Sequence, residues 1–131
     1  MKITADTNVL LRAAVNDDPE QSARAIEALK SAEMVAVSLQ SLCEFVWVLR
    51  RRYSVSRTDI AVAIRSLTER RSVVVDRPAV ECGLGLLEAG GDFADGVIAY
   101  DGAALGGETF VSFDKKAVAI LAAQGRPSKL A

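Results

Sequence analysis

Apolar runs of strand length alternate with helix-length amphipathic stretches along most of the chain, and this alternation limits the fold more than any other feature. Lys2 to Ala5, Met34 to Ser38, the β-branched Val73-Val74-Val75 and Thr109 to Ser112 read as strands. Helical spacing predicts Thr7 to Val15, then a helix opened by Asp17-Asp18-Pro19-Glu20 with a stripe of Ala23, Ile26 and Leu29. Ser41 to Arg52 carries Leu42, Phe45, Val46 and Leu49 on one face. Ser56-Arg57-Thr58-Asp59 resembles a capping box before Ile60, Ile64 and Leu67. Further helices run from Pro78 to Gly90-Gly91, from Phe93 to Leu105, and from Asp114 until Gly125 and Pro127 stop the last one. The tail from Ser128 to Ala131 holds a vestigial strand or none. Strands alternating with helices imply an α/β fold with a parallel sheet covered on both faces. Ligand sites in such folds gather beyond the carboxyl ends of the strands.

The chain has 131 residues, half of them apolar, which is enough for one domain spanning 1–131 with its own core. No metal or disulfide staple is needed to account for folding at this size. Asp6 interrupts any signal-peptide core at the N-terminus, and no run approaches the 18 uncharged apolar residues of a membrane span. Cys43 and Cys82 lie in apolar helical patterns and read as small buried hydrophobes, not as a disulfide framework. The expectation is a protein of a reducing compartment, the cytoplasm of a bacterium or archaeon.

The chain contains no histidine. That excludes histidine general acid–base chemistry, Ser-His-Asp and Cys-His nucleophiles, and zinc sites built on imidazole. A hydrolase of this composition must work through carboxylates, and carboxylates alone suit hard divalent cations. Basic residues number 16 and acids 17, so the overall charge does not advertise nucleic-acid binding. If several acids gather in one pocket, the rest of the surface is net basic.

Asp6 and Asp114 each stand between a strand and a helix, where an aspartate serves either as a helix cap or as a ligand at the carboxyl edge of the sheet. Asp92 and Asp95 flank the start of another helix; Asp92 reads as the cap, and Asp95 sits in the first turn, where it complements the dipole. Glu44 lies in the apolar run Leu42 to Leu49, so it is either a functional carboxylate drawn toward burial or an exposed partner of Arg51 or Arg52. A parallel sheet would direct Asp6, Asp95 and Asp114 toward one edge. Carboxylates sharing a small volume resist ionising together, and a divalent cation removes the conflict.

Four segments in order, Asp6-Thr7-Asn8-Val9-Leu10, Glu44, Asp92-Phe93-Ala94-Asp95-Gly96-Val97-Ile98-Ala99 and Phe110-Val111-Ser112-Phe113-Asp114-Lys115-Lys116, resemble the PIN domain. They look most like the VapC-type toxins of prokaryotic toxin–antitoxin pairs. The resemblance implies a three-layer sandwich with a central parallel sheet flanked by helices, and an acidic quartet of Asp6, Glu44, Asp95 and Asp114 that holds Mg²⁺ or Mn²⁺. It implies endonucleolytic cleavage of RNA, a cognate antitoxin and a homodimer. Asn8 and Ser112 match polar positions that support the site, with serine where threonine is more common. Gly96 stands where alanine is common, and little is expected to depend on it.

Arg12, Lys115 and Lys116 are candidates to guide RNA, as are Arg50-Arg51-Arg52 and Arg70-Arg71, although cations at helix C-termini also suit the dipole. Trp47 and Tyr53 read as core or interface residues, and Phe93 as a helix staple. Two other readings compete. A non-catalytic α/β binding or phosphoacceptor module would use Asp76 after the third strand but lacks paired acids after the first. An aspartate-nucleophile phosphatase would need Asp-x-Asp where Asp6-Thr7-Asn8 stands.

Overall fold

The computed structural model describes residues 1–131, which form two compact units, Met1–Asp76 and Arg77–Ala131. The first contains β1 (Lys2–Thr4), α1 (Thr7–Ala14), α2 (Pro19–Ser31), β2 (Met34–Ala36), α3 (Leu39–Arg51), α4 (Arg57–Thr68) and β3 (Val73–Val74). Its sheet has the order β1-β2-β3 and is parallel throughout, with Ile3 opposite Val35 and Val35 opposite Val73. Parallel neighbours cannot be joined by a tight hairpin, so a helix pair crosses between successive strands, α1–α2 and then α3–α4. Val35, on the middle strand, is fully buried, as an apolar strand covered on both faces requires.

The ladder continues past the strand ends. Ala5 N–H donates to the Ala36 carbonyl at 3.0 Å and Val37 N–H to the Val74 carbonyl at 3.0 Å. These bonds hold the chain in register up to Asp6 and Ser38, where α1 and α3 begin. Each helix start is closed by a side-chain oxygen: Asp6 accepts from Val9 N–H, Asp18 from Gln21, Ser38 from Ser41 and Ser56 from Asp59. On α3 the expected stripe of Leu42, Phe45, Val46 and Leu49 is buried, together with Ile60 and Ile64 of α4. On α2 the buried stripe is Ser22, Ala25 and Leu29, and Ile26 is exposed. The hydrophobic spacing of Ala23, Ile26 and Leu29 misplaced that face because the small residues Ser22 and Ala25 pack closest to the neighbouring elements. Trp47 is also exposed, with the Arg51 guanidinium 5.5 Å from its ring centroid, so it is not a core residue.

The second unit contains α5 (Arg77–Glu88), α6 (Phe93–Ala104), β4 (Phe110–Ser112), α7 (Lys115–Ala123) and β5 (Ser128–Leu130). The C-terminal tail forms a true strand: β5 pairs parallel with β4, with Phe110 opposite Ser128 and Ser112 opposite Leu130. Backbone bonds from Phe110 N–H to Pro127 and from Ala131 N–H to Ser112 close its two ends, at 2.9 and 3.0 Å. Parallel strands alternating with helices make the chain α/β, as expected, with the strands paired as a three-stranded and a two-stranded sheet. Neither cysteine forms a disulfide, and both are only half-buried. The Cys82 Sγ accepts from Arg126 Nη2, so it is not the inert core hydrophobe that its apolar surroundings in sequence suggest.

Helices α5 and α6 approach backbone to backbone. A Cβ on Gly96 would meet the Cys82 carbonyl and lie 2.7 Å from Gly83 Cα, closer than real Cβ atoms come. A Cβ on Gly83 would lie 2.6 Å from the Phe93 ring, which is buried in the core. The turn between the helices is equally tight. Gly90 adopts φ +98° and donates to the Leu87 carbonyl, while Gly91 N–H reaches the Leu86 carbonyl at 2.7 Å, a Schellman closure that leads straight into Asp92. Gly96 therefore carries a heavy packing constraint, contrary to the expectation that little depends on it. We predict that Gly96→Ala destabilises the protein by about 1–3 kcal/mol through overpacking against rigid backbone. Gly102→Ala, on the same helix with open space around it, should stabilise by roughly 0.5–1 kcal/mol. Urea unfolding midpoints check both, and an unchanged midpoint for Gly96→Ala would contradict the close contact.

Candidate metal centre

In the second unit the Schellman turn sets Asp92 at the N-cap of α6, and one helical turn later Asp95 lies on the same side. Asp114 follows β4 and caps α7, its Oδ1 accepting from Lys116 N–H at 2.9 Å and Ala117 N–H at 3.1 Å. Ser112 steadies this corner: its Oγ accepts from Asp114 N–H at 3.0 Å. One carboxylate oxygen from each of Asp92, Asp95 and Asp114 falls within 4.8 Å of the other two. The structure thus brings Asp95 and Asp114 together and adds Asp92.

Asp92 was read from sequence as a cap, and it does occupy the N-cap position. Its side chain makes no capping bond, however. Its carboxylate faces other carboxylates instead of helix N–H groups. The Asp92-x-x-Asp95 spacing at a helix start was the available signal, since residues three apart share a helix face. For Asp114 the cap reading holds and leaves room for a ligand role, because one oxygen serves the helix and the second carries no hydrogen bond.

In the first unit Asp6 stands at the carboxyl end of β1 and also caps its helix through Oδ1, leaving Oδ2. Glu44, on α3, is exposed and pairs with neither Arg51 nor Arg52; its Oε2 accepts from Thr7 Oγ1 at 3.0 Å. The expected pull of Glu44 toward burial and its pairing with Arg51 or Arg52 are both absent. The helix turns it away from Phe45 and Val46, and Thr7 ties it to the corner that follows Asp6. Thr7 is the residue that sequence reasoning passed over inside a motif it had quoted. Asn8 is exposed beside Asp6. Arg12 is not a loose cation: Nη1 meets Asp17 Oδ1 at 3.0 Å and Nε donates to Gln21 Oε1 at 2.7 Å. The Tyr53 hydroxyl donates to Asp17 at 2.7 Å and, with Arg12, holds that carboxyl below its ordinary value. Lys115 and Lys116 are exposed at the start of α7.

The donor set fits a hard divalent cation. It is all oxygen, with no imidazole or thiolate, and its members sit close enough to conflict when ionised. The conflict is visible at Asp95, whose carboxyl is pushed above the ordinary 3.8 by partial burial, then by the charges of Asp92 and Asp114. A raised value means that the fold disfavours ionised Asp95. The cost is absent where the group is protonated in both folded and unfolded chains, below 3.8, and fully present above the raised folded value. We predict that, in chelator, Asp95→Asn is more stable than the parent protein at neutral pH and that the gain vanishes below about pH 4, the acid side of the reference carboxylate. Thermal melts across pH test this; a gain that persists in acid would show that charge is not its source.

No helix is long and apolar enough to cross a membrane. No curated protein matches the chain. A family model for the PIN domain matches residues 3–121, a span that takes in Asp6, Glu44, Asp92, Asp95 and Asp114. PIN domains are typically nucleases that act on RNA and need a divalent metal ion. The carboxylate cluster, the missing histidine and the strand–helix order agree with that match, and the chain belongs to the PIN domain family.

Proposed function

We propose that this protein is a metal-dependent endoribonuclease and the toxin of a prokaryotic toxin–antitoxin pair, acting in the cytoplasm as a homodimer held in check by its antitoxin. The observation that carries the nuclease reading is the convergence of Asp92, Asp95 and Asp114 in a chain of this family. The toxin assignment rests on the resemblance of the four acidic motifs to VapC-type sequences.

Asp95 and Asp114 would hold Mg²⁺ or Mn²⁺, with Asp92 within reach of the same ion. Asp6 and Glu44 complete the acidic quartet through their motif positions. When bound, the cation offsets the carboxylate charge, polarises the phosphodiester and makes water a better nucleophile. The residues of the chain do the rest. Asp114 and Asp6 are each fixed by a helix cap through one oxygen and present the other. Thr7 orients Glu44 by donating to Oε2, which leaves Oε1 to align the attacking water and accept its proton. Water attacks phosphorus in line, the P–O bond to the 3′ sugar oxygen breaks, and that oxygen takes up a proton. The products carry a 5′-phosphate and a 3′-hydroxyl.

The decisive assay is incubation of total cellular RNA with antitoxin-free protein in Mg²⁺, in Mn²⁺ and in chelator. Cleavage should need the metal and should fall roughly 100-fold or more in Asp6→Asn and in Asp95→Asn, exceeding the 10–100-fold typical of outer-shell changes. Both asparagines can still cap or flank a helix, so folded variants are expected by circular dichroism. Metal-independent cleavage, or full activity in either variant, would overturn the assignment.

A further inference from the structure

Beside Asp6, α1 and α2 enclose an open cleft of about 400 Å³, within the roughly 300–1,000 Å³ of small-ligand sites. Its walls divide by chemistry. Val9, Ala25 and Ala28 give an apolar floor, and Asn8, Arg12, Gln21 and Arg24 give a polar rim. We propose that this cleft, beside Asp6, is a subsite for one nucleotide of the RNA, with its phosphate on Arg24 and Arg12 and its base or ribose over the small-residue floor. The inference rests on the nuclease reading and extends it from the first acidic motif to Arg12, Gln21, Arg24, Ala25 and Ala28, which lie outside it.

The two arginines differ in a way that suits the task. Arg12 is preorganised: Asp17 and Gln21 occupy Nη1 and Nε, and Tyr53 anchors Asp17 in turn, so the guanidinium plane is fixed while Nη2 is left to donate. Asp17 already offsets its charge, so Arg12 supplies direction more than net attraction. Arg24 supplies the attraction. Glu20 precedes it by one helical turn and Glu27 follows by another, yet neither comes within ion-pair distance, and no other group pairs with Arg24. An unpaired guanidinium at the rim of a cleft that ends on a ligand-type carboxylate matches the planar, bidentate recognition of a phosphate. The floor works by size. Ala25 and Ala28 lie one turn apart on α2, and without longer side chains there the cleft stays open to a flat ring.

The test is fluorescence anisotropy of the full chain with a labelled single-stranded RNA of mixed sequence, in chelator so that nothing is cut. A backbone contact is read in any sequence, so the target need not be identified. Arg24→Gln should weaken binding about tenfold and lower the slope of log K against log salt by about 0.7, the loss of one phosphate contact on a single strand. Lys30→Gln, a charge removed from the same helix away from the cleft, should change affinity by less than about twofold. Tyr53→Phe, which loosens the Arg12 anchor without altering charge, should weaken binding and leave the salt slope unchanged. If Arg24→Gln binds like the parent, or no worse than Lys30→Gln, the subsite is wrong and the nuclease reading stands on its cleavage assay. If the parent protein does not bind RNA at all, both fall.

Discussion

At Gly83 and Gly96 helices α5 and α6 touch with no side chain between them, and the acidic cluster depends on that contact. It lets the helices lie close enough for a short turn through Gly90 and Gly91 to join them, and the turn delivers Asp92 directly to the start of α6. Asp95 is the residue before Gly96, so the same backbone approach that excludes a Cβ at 96 fixes where the Asp95 carboxylate begins. Phe93, buried against Gly83, locks the rotation of the helix about its axis. Packing of small residues thus sets the position of charged ones.

Two of the acids already serve the backbone. Asp114 and Asp6 both lie just past the carboxyl end of a strand, and each satisfies helix N–H groups through one oxygen. This answers a general difficulty for carboxylate sites, which must hold mutually repelling charges in place before a cation arrives. Helix caps supply hydrogen bonds and a positive dipole end to the ionised form, and they restrict the rotamer. Asp95 has no such partner, and it is the carboxyl whose ionisation the fold resists. Within the second unit the cluster therefore combines Asp114, held in place by its cap, with the electrostatically strained Asp95, a conflict that a divalent cation would relieve.

Much of this could be read from the chain. The parallel strand pattern, every helix and the capping roles of Ser56, Asp6 and Asp114 follow from local chemistry, in which the cause lies within a few residues of the effect. The failures share the opposite property. Gly96 looked expendable because its constraint comes from Cys82 and Gly83 on the preceding helix. Ile26 faces solvent because Ser22 and Ala25 pack closer, which depends on what lies opposite. The strand at Ser128 to Leu130 has no strong propensity and exists through pairing with β4. In the acidic site, Asp114 and Asp95 were legible as a motif, whereas Asp92 was taken for a working cap until its side chain proved free of that role. Thr7 and its bond to Glu44 bridge two elements distant in sequence, and no periodicity signals such a pair.

The claim on which the account turns is that Asp92, Asp95 and Asp114 together hold a divalent cation. Titration of the folded, metal-stripped protein with Mn²⁺, followed by the loss of the free-ion electron paramagnetic resonance signal, tests it without reference to any RNA. The account predicts saturable binding by the parent protein and clear weakening in each of Asp92→Asn, Asp95→Asn and Asp114→Asn, all three folded. Binding that survives unchanged in the Asp92 and Asp95 variants, or a parent protein that leaves Mn²⁺ free, would contradict it.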